Sequence, residues 1–353
     1  MPLAAGAGSG TMPHTILSLE SSCDEFAAAL VEDGRELLAS VVASQAELHA
    51  RYGGVVPEVA GREHLRSVAP VLDGVLAEAG RDWASVDAIA VTRGPGLGGS
   101  LLVGINAAKA LAWARDLPCI PVHHIEGHLY ANWLAPSLDA YDGTPPPFPV
   151  LCLVVSGGHT ELLLMRDHGH FQRLGQTLDD AAGEAFDKVG RLLGLPFPGG
   201  PAIERAARDR DPAARLPRAW LRGTYDFSFS GLKTAVLHRV RKEHPEGVTD
   251  PGPLARAFQD SVVDVLAEKT TRAAAEFDAR SVIIAGGVAA NGSLRAALQS
   301  RCAVPVRWPP PRLCTDNAAM IGAAAHYRRQ ADPSLSFDLF STSGPGVFQA
   351  GVG

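Results

Sequence analysis

The segment PVHHIEGHLY, residues 121–130, sets His124 and His128 four apart with Glu126 between them. On a helix, positions i and i+4 share one face, so both imidazoles can reach a single ion. Neutral imidazole is a common ligand for zinc and iron. A third ligand is needed, and CTDNAAM at residues 314–320 offers Asp316 where a last helix begins, near Thr315. A set of two histidines and an aspartate leaves coordination positions open, as polarisation of a substrate requires. Paired histidines that only pack or cap a helix have the same spacing, so the pair alone does not establish a metal.

A metallopeptidase helix reads H-E-x-x-H, with its glutamate turned toward the metal-bound water. Here Glu126 follows His124 by two residues, about 200° around a helix. The inverted order H-x-x-E-H also fails, because counting from His123 puts Gly127 where the second histidine belongs. The metal reading survives this comparison and the peptidase reading weakens.

Three glycine-rich turns follow apolar runs. RGPGLGGS at 93–100 carries G-x-G-x-x-G, but no acidic residue ends the next strand to hold a ribose, which favours a tight packing turn over a dinucleotide site. VVSGGHT at 154–160 can converge the amides of Ser156, Gly157 and Gly158 on an anion, or be a plain hairpin turn. GGVAAN at 286–291 follows the strand SVIIA and opens a helix, whose amides and dipole suit a phosphate or a nucleotide sugar. Asn291 adds a donor and an acceptor for discrimination.

The elements that must position these groups come in two similar sets. Residues 14–40 read strand, polar turn, strand, polar turn, strand, and the same pattern returns at 149–176. Each set is followed by helical pattern, which predicts a duplicated α/β architecture. Helices are expected near 57–79, through 114, at 181–193 and at 253–277, and an arginine-rich helical stretch after the Pro196–Pro201 break. TPPPFP at 144–149 is the best boundary. The expected division is a flexible 1–13, lobes at 14–145 and 146–330 with a helical insertion at about 196–250, and a loosely held 331–353.

The composition, 46% hydrophobic and 20% charged, is that of a globular chain. A net charge of −6 argues against nucleic-acid binding by the whole surface, not by a local basic face. The five scattered cysteines lack C-x-x-C and fit reduced thiols in a cytoplasmic protein. No run approaches the length of a membrane span, and the first residues lack a signal-peptide pattern. Arg205, Arg208, Arg210, Arg215, Arg218 and Arg222 form a basic stretch suited to RNA phosphates, or a solvated face paired with Glu204, Asp209 and Asp211.

Taken in order, LESSCDEF (19–26), GGVVPEVAGREH (53–64), GPGLGGSLLVG (94–104), HHIEGH (123–128), VSGGHT (155–160), GEAFDKVGRLLGL (183–195), PGGP (198–201), SFSGLKTA (228–235), GGVAAN (286–291) and CTDNAAM (314–320) resemble the bacterial TsaD proteins and their archaeal and eukaryotic relatives, once named O-sialoglycoprotein endopeptidases. The resemblance covers about residues 14–330. It implies the actin/Hsp70/sugar-kinase (ASKHA) fold, two duplicated lobes around a nucleotide cleft. It implies transfer of threonylcarbamoyl from threonylcarbamoyl-AMP to N6 of adenosine 37 in tRNAs reading ANN codons (t6A formation). Metallo-endopeptidase and ASKHA kinase or ATPase are the competing readings.

Carried over by residue, the resemblance implies that His124, His128 and Asp316 bind one Fe(II), with Zn(II) the alternative. Val154, Val155, Ser156, Gly157, Gly158, Asp187, Gly200 and Asn291 would contact substrate, as would Glu204, which stands where many relatives have aspartate. Gly61 departs from the family's usual serine. The sequence names no general base. The implied partners are tRNA, a degenerate paralogue (TsaB) and a small ATPase (TsaE), with the helix at 57–79 a candidate dimer surface.

Overall fold

A computed structural model describes residues 14–52, 54–213, 215–328 and 335–340. The first sheet contains β1 (Thr15–Glu20), β2 (Glu25–Glu32), β3 (Glu36–Ser44), β4 (Ala88–Gly94) and β5 (Cys119–His123) in the order β3-β2-β1-β4-β5. The second contains β6 (Val150–Val155), β7 (Thr160–Asp167), β8 (His170–Gln176), β9 (Ser281–Ala285) and β10 (Val306–Arg307) in the order β10-β9-β6-β7-β8. Reversed, this is the order of the first sheet. Each has an antiparallel meander whose first strand continues into two parallel strands. The repeat read from strand-and-turn pattern is therefore a repeat of topology.

Helices α1 (Ala46–Ala50), α2 (Pro57–Ala79) and α3 (Gly98–Arg115) belong to the first lobe. After β5 come α4 (His124–Tyr130) and the short α5 (Ala135–Leu138). The second lobe carries α6 (Ala182–Leu192), α7 (Gly199–Ala207), α8 (Ser230–Glu243), α9 (Gly252–Glu276) and α10 (Gly292–Arg301), and α11 (Ala318–Tyr327) closes the order. The expected arginine-rich helix stops at Ala207, and residues 208–213 and 215–229 are irregular. Pro212 and Pro217 supply no backbone donor and bias the residues before them away from helix.

Three apolar layers hold the lobes. Leu17, Leu19 and Phe26 pack under α2 and α3, and Leu151, Leu153 and Val155 pack under the helices of the second lobe. The alternate strand residues, including Ile16, Ala27, Val150, Cys152 and Val154, share a third layer with α4 and α11. Period-two alternation explains this, since both sheets are covered on both faces. Helix α11, AAMIGAAAHY, is almost wholly small or apolar and buried as far as Ala325. Close packing is needed at Gly127, where a Cβ would stand 2.7 Å from the Ile321 side chain. The two helices between the sheets are the two that adjoin the candidate metal ligands.

Within the tail expected to be loose, residues 335–340 lie against the first lobe. Phe337 is buried, Lys109 Nζ donates to its carbonyl at 2.7 Å, and Phe340 N donates to Arg93 O at 3.0 Å. Residues 1–13, 329–334 and 341–353 fall outside the described residues.

Candidate functional site

The carboxyl ends of β1, β4, β5, β6 and β9 all feed one region, the place where open parallel sheets bind ligands. Leu19 pairs with Val91 and Gly94 with His123, so Glu20, Thr92 and α4 converge. In the second sheet Val154 pairs with Ala285, which brings the Ser156–His159 turn beside Gly286 and Gly287.

His123 caps α4, its Nδ1 accepting from Ile125 N at 3.2 Å. The helix then carries His124 and His128 on one face, with ring centroids 4.7 Å apart. Asn317 caps α11 by accepting from Met320 N at 3.0 Å, which fixes Asp316 just ahead of the helix. Asp316 Oδ1 lies 3.2 Å from His128 Nε2 and 3.6 Å from His124 Nε2. One ligand atom from each of the three residues falls within a 4.8 Å group, and no other such metal-capable group occurs among the described residues. Two ligands about 2.1 Å from a shared tetrahedral ion stand roughly 3.4 Å apart. The two Asp316–imidazole separations bracket that value, and the two-nitrogen, one-carboxylate donor set suits iron or zinc. The residues fit a metal.

The electrostatics agree with that fit. Burial disfavours charge on His124, but Asp316 and Glu20 overcome it and raise its pKa to about 9. Burial likewise opposes the Asp316 charge, yet the two imidazoles hold the carboxyl well below the usual range. His159 lines the same crevice, and burial, with the nearby His124, pushes its pKa down to about 4.

Glu126 takes no part in this face. It is buried, and its Oε2 accepts from Arg328 Nη1 at 2.8 Å. The carboxylate that a peptidase would aim at metal-bound water is turned to the far end of α11.

The crevice around the metal cluster, about 650 Å³, is lined by Ser22, Cys23, Pro95–Leu97, His124, His128, Ser156–His159 and Asp316. A second cavity is lined by Asp187, Gly200, Glu204, Gly287 and Asn291, and Gly157 belongs to both. Thr315 in the second cavity adjoins Asp316 in the first. Asp187 Oδ1 accepts from Gly199 N at 2.7 Å, and burial raises its pKa. Glu204 Oε1 accepts from Gly292 N at 2.8 Å, joining α7 to α10.

The Val154 and Val155 side chains are fully buried in separate apolar layers and line neither cavity, because a central strand with both faces covered has no free face. Asn291 uses its amide internally: Oδ1 accepts from Leu294 N at 2.9 Å, and Nδ2 donates to Gln259 Oε1 at 2.9 Å. Its amide is a helix cap before it is a discriminator.

Sequence reasoning missed Glu20, Ser22, Cys23, Thr92 and the Pro95–Leu97 turn. Leu97 N donates to Ser22 O at 2.7 Å, which explains the first glycine turn as packing against the β1 exit. The signal for Glu20 was an acid ending an otherwise apolar central strand.

A family model described as TsaD: tRNA N6-adenosine threonylcarbamoyltransferase matches residues 36–323. The chain belongs to the TsaD family. Its activity is threonylcarbamoyl transfer to N6 of adenosine in tRNA, forming t6A. It is 57% identical to the tRNA N6-adenosine threonylcarbamoyltransferase of Thermomicrobium roseum, over 92% of this chain and 94% of the relative. The same enzyme of Geobacillus kaustophilus is 56% identical (88% and 90% covered), and that of Bacillus subtilis 52% (88% and 89%). Among solved structures, full-length HypF aligns with TM-score 0.56 at 13% identity, over 89% of this chain and 46% of that one. Component A of Acidaminococcus fermentans (R)-2-hydroxyglutaryl-CoA dehydratase aligns at 0.51 and 14%, over 89% and 96%. These two show the fold alone, and it is the actin/Hsp70/sugar-kinase type. No described helix of this TsaD-family chain is long and apolar enough to cross a membrane.

Proposed function

We propose that this TsaD-family chain takes the threonylcarbamoyl group from threonylcarbamoyl-AMP and places it on adenosine 37 of ANN-reading tRNAs, with Fe(II), or else Zn(II), held by His124, His128 and Asp316. The observation that carries this reading is the shared wall of the two cavities: Gly157 lines both, and Thr315 and Asp316 are neighbours across them. An adenylate lying in the second cavity would present its acyl end to the metal cluster. Asp187, Gly200, Glu204 and Asn291 would contact it there, and Ser156, Gly157 and Gly158 would meet its phosphate.

The reaction forms a bond from N6 to the carbamoyl carbon and breaks that carbon's bond to the phosphate oxygen; AMP leaves and N6 loses a proton. AMP is a good leaving group, so no side-chain nucleophile is required, and alignment with charge stabilisation supplies the rate. A bound metal ion supplies Lewis-acid polarisation of the threonylcarbamoyl group. The backbone amides of Gly157 and Gly158 hold the departing phosphate, while Ser156 N closes the turn by donating to His159 O at 2.8 Å. Arg208, Arg215 and Arg222 are exposed and supply phosphate contacts for the tRNA. A degenerate paralogue (TsaB) and a small ATPase (TsaE) complete the assembly, in the cytoplasm.

The test is mass spectrometry of tRNA nucleosides after incubation with synthetic threonylcarbamoyl-AMP and the partner proteins. Wild type should form t6A and His124→Ala should lose at least about 100-fold, since polarisation contributes several kcal/mol. Undiminished transfer by a folded His124→Ala protein refutes the metal's role.

A further inference from the structure

We propose that Glu20 is a positioning residue of the metal site, which keeps a proton on His124 Nδ1 and thereby leaves Nε2 to face the ion. The inference rests on the metal-site reading above and deepens it.

Glu20 ends β1 and is fully buried. Its Oε1 accepts from Ser22 N at 2.5 Å and its Oε2 accepts from Thr92 Oγ1 at 2.5 Å. Those two bonds, one from the β1 exit and one from β4, fix the carboxylate plane. The same Oε2 lies 3.1 Å from His124 Nδ1. An ionised carboxylate can only accept, so Nδ1 must be the donor. His124 Nε2, the opposite ring nitrogen, faces Asp316 Oδ1 at 3.6 Å.

Among the described residues, the other polar group within hydrogen-bond reach of Nδ1 would not settle the matter. Ser22 Oγ stands 3.2 Å away, but a hydroxyl donates or accepts with equal ease and would allow either tautomer. His128 shows the contrast: its Nδ1 is buried with no hydrogen-bond partner. One histidine of the pair is anchored from behind and the other is not. A carboxylate behind a ligating histidine fixes ring orientation and raises its basicity, and losing such a partner typically weakens metal binding about 10–100-fold. The acid is also costly to bury without partners, and nothing in the apolar layers beside β1 requires one.

The test uses the metal-free full-length chain, titrated with Zn(II) against a chromophoric chelator. Glu20→Gln keeps the shape, but its amide can turn a donor toward Nδ1, so the Zn(II) affinity of the folded protein should fall about 10–100-fold. Thr92→Val keeps the acid and removes one of its anchors, so it should show a smaller loss. In the Zn(II)-loaded wild type, imidazole nitrogen NMR should place the remaining His124 ring proton on Nδ1; a role limited to packing would not dictate this. The proposal is overturned if that proton sits on Nε2, or if folded Glu20→Gln binds Zn(II) as tightly as wild type. Absence of Zn(II) uptake by wild type would instead overturn the metal site itself, and this proposal with it.

Discussion

Buried Glu126 and half-buried Arg328 form an ion pair, 2.8 Å from Oε2 to Nη1, that ties the middle of the histidine helix to the residue just beyond α11. Asp316 sits ahead of the same helix, so α11 is linked to α4 near both of its ends. Removing Glu126 takes away a charge-assisted hydrogen bond and leaves the half-buried Arg328 without its partner. Glu126→Ala should therefore lose about 1–3 kcal/mol of stability. The double change Glu126→Gln with Arg328→Met should recover most of it, as read by urea unfolding. A peptidase role for Glu126 predicts no such rescue.

The protonation of the cluster makes stability depend on pH when metal is absent. The folded pKa of His124, about 9, lies above its ordinary 6.5, so the folded chain binds more protons between those values. Its contribution is complete below pH 6.5 and is lost as pH rises through 9. The size is about 3 kcal/mol. Asp316 and Glu20 are held below their ordinary values, so their contributions are lost in acid. Unfolding midpoints of metal-free protein should fall on the alkaline side, and His124→Ala should flatten that limb. Zn(II) affinity should rise over the same range, because binding must displace the His124 proton. A flat profile in metal-free wild type would contradict the arrangement.

Gly183 tests the phosphate turn. Alanine inside a helix usually adds about 1 kcal/mol relative to glycine. Here a Cβ would fall 2.5 Å from Ser156 O and 2.8 Å from Gly157 N. Gly183→Ala should instead destabilise by about 1–3 kcal/mol and weaken AMP binding at least about tenfold, the latter by calorimetry. Unchanged AMP binding would separate the turn from the nucleotide.

The arginines differ in their surroundings. Arg218 is largely buried and paired with Asp264, so it braces the fold, whereas the Arg210–Asp250 pair lies exposed at the surface. Arg208, Arg215 and Arg222 are exposed. Changing the three to alanine should lower tRNA affinity and reduce the slope of log affinity against log salt by about 0.7–0.9 per lost phosphate contact. Stability should move within about 0.5 kcal/mol. An unaltered salt slope would assign these residues to solvent.

Much of this was legible along the chain because it is local. Four-residue spacing on a helix put His124 and His128 together, and strand–turn–helix punctuation located the glycine turns and Asn291. Alternating apolar pattern exposed the duplicated meander, although proline chemistry after Ala207 was read wrongly as helix. The family motifs, taken together, named the activity.

The pairings across the molecule were not legible. Glu20 meets His124 across 104 residues and Arg328 meets Glu126 across 202. Neither partner is encoded by a spacing, since each depends on α4 and α11 lying together between the two sheets. The same packing buried the Val154 and Val155 side chains and gave the Asn291 amide a helix-capping bond. Periodicity specifies which face of an element is apolar; which faces then meet, and which polar groups they enclose, follows only when the layers close.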